Sequence, residues 1–333
     1  MRSLCLVEPG RVEWRDAPEP RLSGGRDAIV APVASGRCDW DRSVVAGVAP
    51  FRGPFAIGHE GVARVVDVGE RVAGVVPGDL VVVPPHISCG ECGRCRGGLT
   101  AHCEATPPGA AFGVPGGGTW GGMFDDLVRV PYADTMLTPV PDGVAPVDAV
   151  TAADSLSLGY AIISGQLAAG RRSVAVFGFG DHGLFQTAFA VALGAETVVY
   201  IDDDPDRRAL AEDLGAHAVS GPPDRAHGAF DLIVDAAGDL AWLRRAVHLL
   251  EPGGVIECLG GYFGDIPLAG FAMYTRGVSV NFGQGNNLPA IPATLDAVAR
   301  GLVRPSELWI TRVDWDDLPA AYVDEPRKLV ATV

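Results

Sequence analysis

Residues 173–195 read SVAVFGFGDHGLFQTAFAVALGA. An apolar run enters Gly178-x-Gly180-x-x-Gly183. Apolar residues then return at helical spacing (Leu184, Phe185, Ala188, Phe189, Ala192) and stop at Gly194. A glycine triplet alone is a weak signal. Between a predicted strand and a predicted helix it implies a dinucleotide-binding turn: the first glycine permits the bend, the second admits a pyrophosphate, and the third lets helix and strand pack closely.

The next predicted strand, 197–201, ends in Asp202, whose carboxylate suits a ribose 2′-hydroxyl and opposes a 2′-phosphate. The plainer alternative is that residues 202–204 only cap the helix opening at Pro205-Asp206. Asp204 suits that role and leaves Asp202 for ribose, so NAD is expected over NADP. Strands and helices go on alternating: a helix over 205–214, a strand over 231–235 running into Ala237, and a helix over 240–250. Then come the turn Pro252-Gly253-Gly254, a strand over 255–259 followed by Gly260-Gly261, and a strand over 278–282. This pattern predicts a doubly wound parallel sheet, with the glycine triplet, Asp202, Ala237, Gly260 and Gly261 along the crevice at the strand ends.

The first 150 residues differ, with short strands, many Gly and Pro breaks and little helical period. An all-β, barrel-like domain is expected there, with glycine-rich excursions near 90–98 and 113–122. A chain of 333 residues is about twice the ~150 of one compact domain, so two domains are expected. Acidic residues outnumber basic ones 41 to 26, a net charge of −15 that argues against nucleic-acid or anionic-membrane partners. No apolar stretch approaches the ~18 residues of a membrane span, and residues 1–7 run at once into Glu8-Pro9-Gly10 rather than a signal sequence. A soluble, cytoplasmic protein acting on a small molecule is the expectation.

Four of the seven cysteines, Cys89, Cys92, Cys95 and Cys103, fall in CGECGRCRGGLTAHC with spacing C-x2-C-x2-C-x7-C. Such close spacing strains disulfides but lets four thiolates wrap one tetrahedral zinc, a closed site with a structural role. Free surface thiols or an iron–sulfur cluster are the alternatives. Cys5 and Cys258 lie in apolar alternation and read as buried strand residues. Cys38, read as following a flexible Ser-Gly-Arg turn, is flanked by Asp39 and Asp41, and Gly58-His59-Glu60 follows downstream. Together they offer a thiolate and an imidazole to a second zinc, with Asp41 orienting a ligand.

These motifs, with GGMFDDLVRVP at 121–131, resemble the zinc-containing medium-chain alcohol dehydrogenases of the medium-chain dehydrogenase/reductase superfamily. The resemblance spans nearly the whole chain. It implies a GroES-like catalytic domain (1–155, with the zinc lobe near 89–103), an inserted Rossmann NAD-binding domain (156–288) and a C-terminal segment (289–333) returning to the catalytic domain. It implies two zinc ions per chain, and a homodimer or homotetramer in which the strand at 278–282 pairs across copies. By the same resemblance the catalytic zinc takes Cys38, His59 and Asp154, the last in TAADSLSLGYA, with Glu60 as an auxiliary ligand. An N-cap role is the alternative for Asp154. Lys328 would approach a cofactor phosphate, or else be a solvated lysine.

The chain departs from the resemblance at Trp40, where a proton-relaying Ser or Thr is usual, and Ser43 stands where a relay histidine can occur. An indole N–H donates but does not accept, so Trp40 relays nothing. It narrows the pocket or simply packs. Phe51, Phe112 and Trp120 are further pocket candidates. The function implied is zinc-dependent hydride transfer between NAD(H) and a secondary alcohol, polyol or sugar-like substrate or its ketone. The alternatives are a reductase of a conjugated carbonyl or iminium carbon and a non-catalytic nucleotide- and zinc-binding protein; zinc-free quinone reductases lack these ligands.

Overall fold

The computed structural model describes all 333 residues. It divides into two units: Met1–Leu158 with Gly285–Ser306 and Ile310–Val333, and Gly159–Gln284 with Glu307–Trp309. No helix is long and apolar enough to cross a membrane.

In the second unit six strands pair in the order His217–Val219, Thr197–Ile201, Ser173–Phe177, Phe230–Asp235, Leu250–Cys258, Ser279–Phe282, every pair parallel. Parallel strands bury both faces and need continuous apolar runs, and Val174, Ala175, Val176 and Phe177 are all fully buried. Ala175, Phe177, Ile233 and Ile256 share a core with Leu243 and Val247. The expected turn at 252–254 instead lies inside strand Leu250–Cys258 as an irregularity in its pairing with Phe230–Asp235. The expected helix over 240–250 is shorter, Leu240–Ala246, and a helix at Gly270–Arg276 was not foreseen.

The first unit holds two sheets. Arg2–Glu8 pairs antiparallel with Arg11–Asp16 and Phe55–Ala56. The larger sheet runs Ile310–Asp314, Lys328–Thr332, Ala28–Arg37, Glu60–Val68, Leu80–Val83, Thr138–Pro139, with Val128–Val130 pairing onto Ala28–Arg37. The C-terminal strand thus joins the sheet between an N-terminal strand and Ile310–Asp314. Buried Arg37 locks this return by donating to the carbonyls of Tyr322, Glu325 and Arg327. Residues 35–37, read from sequence as a flexible turn, lie inside strand Ala28–Arg37, paired with Glu60–Val68 on one side and Lys328–Thr332 on the other.

Candidate metal centres and dinucleotide site

Three strand or helix ends bring the first cluster together. Cys38 ends strand Ala28–Arg37 and opens the short helix Asp39–Val45. His59 precedes strand Glu60–Val68, and Asp154 stands between the 3-10 turn Val150–Ala153 and helix Ser155–Ala168. Gly58 makes the approach possible. Its φ is +94°, and a Cβ there would lie 2.3 Å from the ring of Phe124. His59 Nε2 is 3.1 Å from Cys38 Sγ and 3.3 Å from Asp154 Oδ2, and the three ligand atoms all lie within 4.8 Å of one another.

Asp41 supports the cluster from behind. Its Oδ1 is 3.3 Å from His59 Nδ1, and its Oδ2 accepts the backbone N–H of Cys38 at 3.1 Å. Burial pushes the Cys38 thiol up. Burial pulls the His59 imidazole down, but Asp41, Cys38 and Asp154 outweigh it and hold its pKa well above the usual value. One thiol, one imidazole and one carboxylate converge here in a buried pocket, with a second carboxylate behind the imidazole. The sulfur, nitrogen and oxygen donors fit a zinc ion with one position left open.

Glu60 stands apart from this cluster. Its Oε1 accepts from Ser155 Oγ (3.1 Å), the Ser155 N–H (3.3 Å) and Lys328 Nζ (2.9 Å), and its Oε2 lies 2.7 Å from the same Nζ. The reading of Lys328 as a solvated lysine is corrected here: it is wholly buried against Glu60. In this conformation Glu60 is held by an ammonium and a hydroxyl, apart from the three converging ligand atoms.

The four cysteines of the lobe also converge within 4.8 Å, and none forms a disulfide. Backbone N–H groups point at their sulfurs: Cys89 to Cys103, Glu91 and Cys92 to Cys89, and Cys95 and Glu104 to Cys92. The bonds from Glu104 and Cys95 pull the Cys92 thiol down to about 6. N–H donors around converging sulfurs favour thiolates and fit a closed four-thiolate zinc site.

Trp40 packs edge-on against Phe51 (5.6 Å between ring centroids) and against the ligand imidazole of His59 (6.0 Å, 76° between planes). The other two pocket candidates fall elsewhere. Phe112 is fully buried in a core with Val83 and Met123. Trp120 donates to the Gly117 carbonyl and lines an open cavity of about 430 Å³ that includes none of the three clustered residues. Ser43 sits within helix Asp39–Val45, its carbonyl taken by Val48 and Ala49.

His86 went unnoticed in the sequence, where a lone histidine after two prolines carries no pattern. It feels the charges of both Asp154 and His59, burial pulls its pKa down to about 4, and its Nδ1 has no partner.

In the second unit Gly178, Gly180 and Gly183 form the turn between strand Ser173–Phe177 and helix Gly180–Ala192. A Cβ on Gly183 would lie 2.9 Å from the Cα of Gly178, so the third glycine serves helix–strand contact as the motif requires. Asp202 follows strand Thr197–Ile201, and Asp204, not Asp202, caps helix Pro205–Asp213. Asp202 is not idle, however. It accepts Tyr200 Oη (2.7 Å), Arg207 Nε (2.7 Å) and Nη2 (2.8 Å), and the Asp204 N–H (2.8 Å). The pair with Arg207 outweighs burial and holds its carboxyl below the usual range. A ribose hydroxyl brought to this carboxylate would have to displace or share one of these donors.

Ala237, Gly260 and Gly261 lie at the ends of the two following strands. They are joined through Asp235, whose carbonyl accepts the N–H of Leu259 and of Gly260 and whose carboxylate accepts from Gly238 and Tyr262. Asp235, Tyr262 and the buried Asp181 in the first turn of Gly180–Ala192 are residues the sequence reading passed over.

Residues 24–142 match the family model described as an alcohol dehydrogenase GroES-like domain, and residues 183–300 the model described as a zinc-binding dehydrogenase. A "Probable zinc-binding alcohol dehydrogenase" of Mycobacterium tuberculosis is 29% identical over 97% of this chain and 84% of its own length. A "Medium chain reductase/dehydrogenase" of an Acremonium species is 30% identical over 81% of this chain and 96% of its own. Among solved structures, an alcohol dehydrogenase from Thermus sp. ATN1 superposes with a TM-score of 0.88 at 30% identity, covering all of both chains.

Proposed function

The chain belongs to the zinc-containing medium-chain dehydrogenase/reductases, and from that premise we propose that it transfers hydride between NAD(H) and a secondary alcohol, polyol or sugar-like substrate or its ketone. The observation that carries this reading is the buried Cys38–His59–Asp154 cluster, a three-donor set separate from the four-cysteine lobe.

Bound between Cys38, His59 and Asp154, zinc would supply Lewis acidity toward a substrate oxygen. Asp41, with its Oδ1 3.3 Å from His59 Nδ1, would orient the imidazole. The Glu60–Lys328 pair keeps a second carboxylate clear of the cluster. Trp40 and Phe51 give an apolar wall beside His59, which limits substrate bulk and excludes water. Trp40 has no lone pair with which to accept a substrate proton.

The glycine turn and the position of Asp202 at the end of strand Thr197–Ile201 support NAD as the dinucleotide, while its pair with Arg207 lessens the charge that would oppose a 2′-phosphate. Edge strand Ser279–Phe282, with Phe271 and Tyr274 more than 80% exposed on the preceding helix, supports association of two copies. The absence of disulfides among seven cysteines is in keeping with a reducing, cytoplasmic setting.

The test is metal content with a substrate panel. Two zinc ions per chain, falling to one in Cys38→Ser together with loss of NAD-linked alcohol or ketone turnover, support the proposal. Turnover confined to conjugated carbonyls would favour the second reading, a reductase with altered proton handling, which the lack of a hydroxyl at Trp40 favours. Cofactor binding without turnover would indicate a binding protein.

A further inference from the structure

We propose that Asn287 is a positioning residue for Asp154, and that with its neighbour Asn286 it couples the four-cysteine lobe to the Cys38–His59–Asp154 cluster. The inference rests on reading that cluster as a metal site.

Asp154 has φ −139° and ψ −86°, outside the regular backbone regions, because it joins the 3-10 turn Val150–Ala153 to helix Ser155–Ala168. Only one bond of the following helix reaches its peptide. Its carbonyl accepts three donors: the Leu158 N–H of that helix (3.0 Å), Ser157 Oγ (3.0 Å) and, shortest of all, Asn287 Nδ2 (2.7 Å). A carbonyl only accepts, so the amide orientation is forced.

Asn287 is 2% exposed, its Nδ2 also reaches Ser157 Oγ at 3.1 Å, and its Oδ1 is buried without a protein partner. The neighbouring chain leaves room for that oxygen, since a Cβ on Gly285 would lie 2.7 Å from it. An apolar side chain of equal volume would fill the space with no orphaned oxygen. What the amide adds is the bond to the ligand's own backbone.

Asn286 turns the other way. Its Oδ1 accepts the N–H of Ala101 at 3.0 Å, and Ala101 lies in the 3-10 turn Thr100–His102 between the third and fourth lobe cysteines. Two consecutive side chains therefore grip the zinc lobe and the metal ligand. Both are rooted in the turn Leu288–Ala290 and helix Ile291–Ala299, whose Ile291 and Leu295 pack against Ala149, Val150, Ala152 and Ala153, the segment that delivers Asp154. A displacement of the lobe moves Asn286, and with it the donor on Asp154.

The experiment loads the full chain with cobalt(II) and reads visible absorption and metal affinity at each site. Asn287→Leu is expected to keep the lobe metal and its secondary structure. Cobalt affinity at the Cys38 cluster should fall about 10- to 100-fold with shifted ligand-field bands, the size of effect seen when a ligand's supporting partner is lost. Asn287→Ala gives the same readout should the leucine variant not fold. Emptying the lobe with Cys95→Ser is expected to weaken the cluster's cobalt affinity, and Asn286→Ala to abolish that dependence. Wild-type affinity and spectrum in both Asn287 variants overturn the positioning role, and an undiminished Cys95→Ser effect in Asn286→Ala overturns the coupling. If the wild-type chain binds only lobe cobalt, with a spectrum indifferent to Cys38→Ser, the metal-site reading itself fails, and this outcome is separable from the other two.

Discussion

Lys328 Nζ lies 2.7 Å from one oxygen of Glu60 and 2.9 Å from the other, and neither side chain has any exposed surface. The two residues are brought together because strand Lys328–Thr332 and strand Glu60–Val68 flank the same strand, Ala28–Arg37. Breaking such a pair leaves a bare buried charge, which costs more than the intact pair contributes. Lys328→Met should therefore destabilise the protein by about 3–5 kcal/mol in denaturant unfolding. Lys328→Met with Glu60→Gln should recover most of that loss. A single variant within 1 kcal/mol of wild type would mean that the pair is not a structural lock.

Trp40 meets the imidazole of His59 edge-on, which under the proposed function sets its bulk beside the substrate. Trp40→Thr should widen the site and move kcat/KM toward bulkier secondary alcohols, and the new hydroxyl should raise activity by offering a relay. Kinetics across a series of alcohols of increasing size checks this. An unchanged profile would reduce Trp40 to a packing residue.

Asp125 illustrates how burial of a single carboxyl shapes the pH dependence of stability. Burial raises its pKa to about 6, although Ser3 Oγ (2.6 Å) and the Gly122 N–H (3.0 Å) both donate to it. The folded state then holds a proton that the unfolded state releases near its ordinary value of about 4. Stability from this group is present at low pH and is lost as pH rises from about 4 through about 6. Asp125→Asn should flatten that part of the unfolding free-energy curve relative to wild type. Parallel curves for the two proteins between pH 4 and 6 would refute the assignment.

The fold of the second unit was legible because local signals agree there. Apolar runs, glycine turns and helix caps recur along residues 173–282, and Asp204 caps its helix as its position before Pro205 predicts. The convergence of the two candidate ligand groups was legible for a different reason: few residue types bind zinc, and their spacing is restrictive. What was not legible depended on pairing between distant segments. Residues 35–37 look like a turn, yet strands on both sides hold them extended. Lys328 and Glu60 are 268 residues apart, and Asn287 reaches Asp154 across 133. No local period announces such contacts. His86 and Asp181 were missed because an isolated titratable residue becomes informative only once its surroundings are known.

Asp181 gives the remaining prediction. It lies wholly buried in the first turn of helix Gly180–Ala192, where the glycine turn would receive a pyrophosphate. Unpaired backbone N–H groups and the helix dipole favour one anion there, and a carboxylate already in the first turn draws on the same field that would attract the phosphates. Asp181→Asn keeps the size of the side chain and removes its charge. NADH affinity should rise about fivefold, corresponding to roughly 1 kcal/mol for a charge at a helix end. Fluorescence titration of NADH at low salt measures this, and a buried carboxylate is only weakly screened, so most of the gain should persist at high salt. Equal or weaker binding by Asp181→Asn at low salt would show that the Asp181 carboxylate organises the turn rather than opposing the cofactor.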